Sequence, residues 1–217
     1  MHGNAMTEPG IPPYDGPVGF GVAGLLALSY VLGTFPTALI VARLAGHDPT
    51  TEGSGNPGAS NVYRLAGARA GLAVFLGDAA KGAAASGIGR SVGGPKLAMA
   101  CGMASVLGHV FPIFRRFRGG RGVATAAGTV AVLEPVVALP FVVVWLLIAR
   151  LTGKASAASL VVIGATPAVV LALDRPAWEK AGMGGLAALV VARHAGNLVR
   201  LARGDEPAMQ AAEGGAQ

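Results

Sequence analysis

The sequence predicts an all-α polytopic membrane protein of seven transmembrane helices, and three observations carry that expectation. Of 217 residues, 53% are apolar and 13% charged, whereas an ordinary soluble domain carries about 25% charged residues. The mean hydropathy is +0.57. The 34 glycines lie among alanines and aliphatic residues, the mixture that lets membrane helices pack backbone to backbone. Such a composition excludes intrinsic disorder, and the single cysteine, Cys101, excludes a disulfide framework or a cysteine-rich metal site. Despite the net charge of +6, aromatics are only 6% of the chain, so no nucleic-acid partner is expected. In an apolar chain, excess Lys and Arg marks cytoplasmic loops.

Residues 1–17 are rich in proline and glycine and carry no Lys or Arg. They lack the basic start of a signal peptide and read as a short extracytoplasmic tail. Apolar runs follow at 18–44, 70–89, 96–113, 122–133, 135–151, 156–173 and 177–196; a hydrocarbon core of ~30 Å takes about 20 helical residues. The stretch 122–149 is interrupted only by Glu134-Pro135. As one helix it would run about 42 Å and bury Glu134 in lipid at a cost of about 3 kcal/mol. Two helices with a tight turn at Glu134-Pro135 avoid both. The membrane domain is 18–205, and 206–217, small and polar, reads as a mobile cytoplasmic tail.

Charge sets the orientation. With the loop 45–69 inside, the inside segments carry Arg43, Arg64, Arg69, Arg115, Arg116, Arg118, Arg121, Arg150, Lys154, Arg193, Arg200 and Arg203; the outside ones carry only Arg90, Lys96, Arg175 and Lys180. That asymmetry places the N-terminus outside and the C-terminus in the cytoplasm.

Three inside segments are not explained by packing. In Gly53–Arg64, the glycines Gly53, Gly55 and Gly58 free the backbone to present N–H groups, Ser54, Asn56, Ser60 and Asn61 add polar donors, and Arg64 adds a guanidinium fork. That set suits phosphate oxygens, although a string of Gly, Ser and Asn is also what a flexible loop looks like. In Gly108–Thr125, Gly119, Gly120, Arg121 and Gly122 lead into an apolar helix near Val123, where free N–H groups and the helix dipole favour an anion. Arg115, Arg116 and Arg118 alternate with Phe114 and Phe117 and fit a headgroup-level strip. His109 fits a site or a helix end equally. In Arg193–Glu206, His194, Asn197 and Arg200 line one side of a helix end; an interfacial helix with its cations near its C-terminus would look the same.

Asp78 and Lys81 lie inside a span at i, i+3. A charge pair there faces the protein interior, either as a structural ion pair or with Lys81 completing the anion site. The histidines are scattered without acidic companions, so no metal ligand set is predicted. A transporter for a phosphorylated small molecule would use the same loops but needs polar groups at mid-membrane. Beyond Asp78 and Lys81 the spans are almost wholly Gly, Ala, Val and Leu.

These residues resemble the bacterial acyl-phosphate-dependent glycerol-3-phosphate acyltransferases of the small integral-membrane type. That family's first motif, S-G-N-x-G-A-T-N-x-x-R, is met by Ser54, Gly55, Asn56, Gly58, Ala59, Asn61 and Arg64, with Ser60 in place of threonine. Its second, G-H-x-F-P-x-F-x-x-F-x-G-G-K-G-V-A-T, is met from Gly108 to Thr125 with Arg121 in place of lysine. Its third, H-x-x-N-[IL]-x-R-L-x-x-G-x-E, is met by His194, Asn197, Leu198, Arg200, Leu201, Gly204 and Glu206.

The resemblance implies a cytoplasmic active site in the bacterial cell membrane and acyl transfer from acyl phosphate to the 1-hydroxyl of glycerol 3-phosphate, with no cofactor or metal. It implies Ser54, His194 and Asn197 at the reacting centre. Taken with the reading of the residues above, Gly53, Gly55, Asn56, Ser60, Asn61, Arg64, Lys81, His109, Gly119, Gly120, Arg121, Gly122, Thr125 and Arg200 are expected around the substrates, with Asp78 and Glu206 as supports. An acyl phosphate is already activated, so the protein has to orient and neutralise two anions rather than supply a covalent nucleophile. A histidine among arginines is a poor proton acceptor, better suited to donating a hydrogen bond, which favours the donor's own phosphate as the base.

Overall fold

The computed structural model describes residues 18–209; the expectations for 1–17 and 210–217 lie outside the described residues. Within them the chain forms α1 (Val18–Gly33), α2 (Thr37–Leu44), α3 (Ala59–Val110), one 3-10 turn (Ile113–Arg115), α4 (Val123–Leu133), α5 (Pro135–Thr152), α6 (Ala155–Ala172), α7 (Ala177–Arg193) and α8 (Ala195–Arg203), with no strand among the described residues. Four helical stretches are long and apolar enough to cross a membrane, and α4 is a shorter apolar helix.

The run 18–44 is broken where Pro36 removes a backbone donor and disfavours helix at Phe35. The break frees carbonyls inside the protein, and Lys81 takes them: its Nζ donates to Phe35 at 2.8 Å and Gly33 at 3.4 Å. The same Nζ lies 2.7 Å from Asp78 Oδ1. Lys81 is 5% and Asp78 1% exposed. The ammonium is thus surrounded by acceptors of the protein itself.

A straight helix of the 52 residues of α3 would measure about 78 Å. It is instead three rods. Gly67 (φ 82) and Gly94 (φ 73) take left-handed conformations that other residues resist, and Pro95 follows the second break. Gly89 lies against Leu97 and Ala98, and Gly102 against Ser86, so the chain reverses at 93–94 and the last two rods run antiparallel.

Helix α4 docks on this hairpin at backbone distance. A Cβ on Gly82 would overlap the carbonyl oxygen of Thr125, and one on Gly128 would overlap that of Ala79; the two helices cross where each has only hydrogen to offer. Larger side chains fill the rest: Val106, Val110, Val130, Ile163, Met183, Leu186 and Val190 form the main core. Helix α5 covers little of itself, leaving Leu139, Leu146, Leu147 and Leu151 more than half exposed, as a lipid-facing helix would.

Polar groups gather at the two ends. At one, Glu134 accepts from Arg175 at 2.6 Å and Arg90 donates to the Val132 carbonyl at 3.0 Å; the charge at Glu134-Pro135 is therefore paired in the turn between α4 and α5. The other end collects the three motif segments.

Candidate active site

The first motif is a wound loop leading into α3. Asn61, fully buried, staples it: Nδ2 donates to Pro49 (3.0 Å) and Glu52 (3.1 Å), and Oδ1 accepts the Ser54 N–H at 2.8 Å. The amide expected to touch substrate is thus occupied in shaping the loop. Gly55 and Gly58 donate their N–H groups to Glu52 and Asn56. Gly53, Ser54 and Asn56 therefore sit on a fixed turn, and Ser60, half-buried, lies in the first turn of α3.

The glycines of the second motif spend their own N–H groups within the chain. Gly119 donates to Val110 and Gly120 to His109, each at 3.1 Å, so neither offers its N–H to a ligand. Their value is closeness: a Cβ on Gly120 would overlap Nε2 of His109, and one on Gly119 the carbonyl oxygen of His109. The His109 ring, packed beneath Gly120, lies 3.4 Å from Lys81 Nζ, which ties the glycine loop to the buried ion pair. The unspent donors come one step later. The first intrahelical bond of α4 runs from Ala126 to Gly122 at 2.8 Å, so the N–H groups of Val123, Ala124 and Thr125 precede it. The Thr125 side chain is fully buried with its hydroxyl unpaired.

The third motif straddles the junction of α7 and α8. His194 is 2% exposed and its Nδ1 lies 2.8 Å from the Val190 carbonyl, so Nδ1 carries the hydrogen. The bond that His194 is suited to donate thus goes to the Val190 carbonyl, and in the neutral ring Nε2 is left as an acceptor. Burial lowers the His194 pKa, with Arg121 and Arg193 acting in the same direction. Asn197, 2% exposed, donates to Glu206 Oε1 at 2.6 Å, and Arg200 Nε donates to Oε2 at 2.9 Å. Burial would push the Glu206 carboxyl up, but the neighbouring Ser156 hydroxyl and the donors Asn197 and Arg200 hold it below the usual range.

The three motifs meet through charge. Arg121 feels Glu206, Arg200, Arg64 and Arg193, and burial lowers its pKa to about 10, which leaves it cationic at neutral pH. Four guanidiniums thus share one corner with a single carboxylate, a surplus suited to anions. Arg193, which the sequence used only for topology, reaches Gly119 through Nη2 at 3.5 Å and lies 5.6 Å from the centre of the Phe111 ring; an arginine directly before the third motif was the only available signal. A small polar cavity of about 20 Å³, lined in part by Lys81, His109 and Gly120, shares Thr34, Phe35, Pro36 and Arg115 with an apolar one of about 460 Å³ walled by Leu28, Val31, Leu32 and Phe114.

The chain matches the family model described as "Glycerol-3-phosphate acyltransferase" over residues 23–204. A glycerol-3-phosphate acyltransferase of Thioalkalivibrio sulfidiphilus is 39% identical over 187 residues, 85% of this chain and 92% of that one. One of Aromatoleum aromaticum is 43% identical over 196 residues, 84% and 93% of the two chains. Among solved structures, PlsY (YgiH), an integral membrane glycerol 3-phosphate acyltransferase, superposes with a TM-score of 0.82 in its glycerol 3-phosphate form and 0.81 in its lysophosphatidic acid form. Each is 35% identical and covers 87% of this chain and 95% of the solved one. With its three polar segments meeting at one end of the bundle and a family match over most of its length, the chain belongs to the glycerol-3-phosphate acyltransferase family.

Proposed function

We propose that the chain is an acyl-phosphate-dependent glycerol-3-phosphate acyltransferase of the bacterial cell membrane, forming 1-acylglycerol 3-phosphate and inorganic phosphate for phospholipid synthesis. The observation that carries this reading is the corner where Arg64, Arg121, Arg193 and Arg200 outnumber Glu206, at the end of the bundle where α4 begins. Two phosphates need such a surplus, and the adjoining apolar cavity offers a bed for an acyl tail.

The bundle is read as seven crossings: α1 with α2, the two long rods of α3, and α4 to α7. The arginine-rich end lies in the cytoplasm and the N-terminal tail outside. Glycerol 3-phosphate is held through its phosphate by the guanidiniums and the N–H groups at the start of α4. Its 1-hydroxyl is aligned by Ser54, Asn197 and Nε2 of His194. The hydroxyl oxygen attacks the acyl carbonyl carbon, the ester bond forms, and the bond from that carbon to the phosphate-bridging oxygen breaks. The phosphate leaves with the electron pair and takes the hydroxyl proton. His194 is too weakly basic to keep that proton, since burial and the arginines favour its neutral ring. No covalent acyl-enzyme is needed.

The experiment is phosphate release by the purified protein in lipid, with palmitoyl phosphate and glycerol 3-phosphate, and palmitoyl-CoA in a parallel reaction. The expected result is release that requires both substrates, accompanied by lysophosphatidic acid. Acylation from the CoA ester alone would overturn the donor. A smaller effect is expected from Arg121→Lys, which restores the family's usual lysine. Arginine binds a phosphate side-on through a fixed fork whereas lysine is a point charge, so turnover should persist with apparent KM shifted about two- to fivefold, ~0.4–1 kcal/mol. Identical kinetics with both substrates would sink that claim.

A further inference from the structure

The chain does not leave the bundle where α8 ends. Gly204 (φ 82) closes the helix in a left-handed conformation, and the Asp205 N–H bonds to the Arg200 carbonyl at 2.9 Å, which turns the backbone around. Glu206, 6% exposed, is then held by Asn197 and Arg200. Three residues later the Met209 N–H bonds to the Gly153 carbonyl in the turn between α5 and α6. Between these two anchors lie two backbone carbonyls, and both face one side chain. Arg64 donates from Nε to Ala208 at 2.8 Å and from Nη2 to Pro207 at 3.1 Å, across 144 and 143 residues of sequence.

A guanidinium has five N–H groups in a rigid plane. The tail engages one edge of it, through Nε and one hydrogen of Nη2. Both hydrogens of Nη1 and the second of Nη2 remain, and they form the end-on fork that takes two oxygens of a phosphate. Arg64 projects from the short rod before Gly67, and unrestrained it would lose side-chain rotamer freedom on binding. Pro207 has a fixed φ and no N–H, so it presents a carbonyl and little else. The family match ends at residue 204, so these carbonyls lie past the matched region.

We propose that residues 206–209 are a positioning strap, which aims Arg64 at a substrate phosphate by holding the opposite edge of its guanidinium. The inference rests on the reading of Arg64 as a phosphate ligand. The phosphate is that of glycerol 3-phosphate or of the acyl donor, and the two are separated by measuring KM for each.

The test compares the full chain, a chain ending after Met209, a chain ending after Glu206, and a full chain with three glycines inserted between Glu206 and Pro207. The first truncation keeps the strap and should leave kcat and both KM values unchanged. The second truncation and the insertion remove or misplace the two carbonyls. Each should raise one KM about tenfold, the equivalent of ~1.4 kcal/mol, with kcat and melting temperature held. Arg64→Lys should raise the same KM in the full chain and add less than about twofold once the strap is gone, because the two changes act through one contact. Unchanged KM in both strapless forms, or a fall in kcat alone, would overturn the strap. A lowered KM would overturn it too, as the mark of a brake. If Arg64→Lys leaves both KM values of the full chain unchanged, the fault lies instead with Arg64 as a ligand.

Discussion

Asn197→Ala should lower kcat by about 10²- to 10³-fold, the usual cost of removing a preorganised donor or acceptor from a reacting centre, while the protein keeps its fold. Asn197 is buried on rigid α8, and one of its Nδ2 hydrogens is committed to Glu206 at 2.6 Å. That bond fixes the amide plane and leaves Oδ1 and the second N–H for substrate. Alanine removes these groups and also leaves Glu206 one donor short, although Arg200 still holds Oε2 at 2.9 Å. Asn197→Asp keeps the shape but sets a second carboxylate against Glu206 and should be at least as damaging. Glu206→Gln keeps the volume and frees the amide to turn, so it should cost less than Asn197→Ala. Steady-state kinetics with both substrates and a melting curve for each variant check the ordering. Turnover within about threefold of the parent in Asn197→Ala would remove Asn197 from the reacting centre.

The parts of the fold set by local chemistry were legible in the sequence. The run 135–151 became Pro135–Thr152, 156–173 became Ala155–Ala172 and 122–133 became Val123–Leu133, because proline, glycine and charge mark those ends whatever the tertiary structure. Elsewhere local chemistry misled. The polar string around Ser60, Asn61 and Arg64 reads as loop, yet α3 begins at Ala59, since Asn61 is satisfied by carbonyls of the preceding turn rather than by water. The stretch 90–95 reads as an external loop but contains only a two-residue break, at Gly93 and Gly94.

The site divides in the same way. That three polar segments share one end of the bundle follows from topology, which hydropathy and charge reveal. Which N–H groups remain free does not. Gly119 and Gly120 spend theirs on the carbonyls of Val110 and His109, and only the folded turn decides that. Nor could composition show that Lys81 answers a helix break 46 residues earlier, or that Arg64 meets the far end of the chain. Those contacts depend on how helices stack, and the stacking depends on glycines that look alike in the sequence.

Gly128→Ala and Gly164→Ala make that dependence measurable, for the two glycines are both mid-helix in apolar surroundings and should respond in opposite directions. A Cβ on Gly164 in α6 meets nothing within 4 Å, so alanine there should be neutral or stabilising by up to about 1 kcal/mol through helix propensity. A Cβ on Gly128 overlaps the backbone of Ala79, and a helix backbone cannot step aside as a side chain can. Nor can α4 slide along α3 for relief, because Gly82 meets Thr125 of α4 in the same close crossing. The methyl therefore forces α4 away from the α3 rod, at about 3 kcal/mol or more, roughly 6–12 °C in melting temperature for a chain of this size. The functional penalty follows from what α4 carries. Its first turn holds the N–H groups of Val123, Ala124 and Thr125, and Arg121 directly precedes Gly122, its N-cap, so a tilted α4 withdraws donors from the arginine corner and should raise KM for a phosphate substrate. Melting curves and kinetics on the two variants test both halves, and equal behaviour of Gly128→Ala and Gly164→Ala would refute the backbone crossing as the source of the site's geometry.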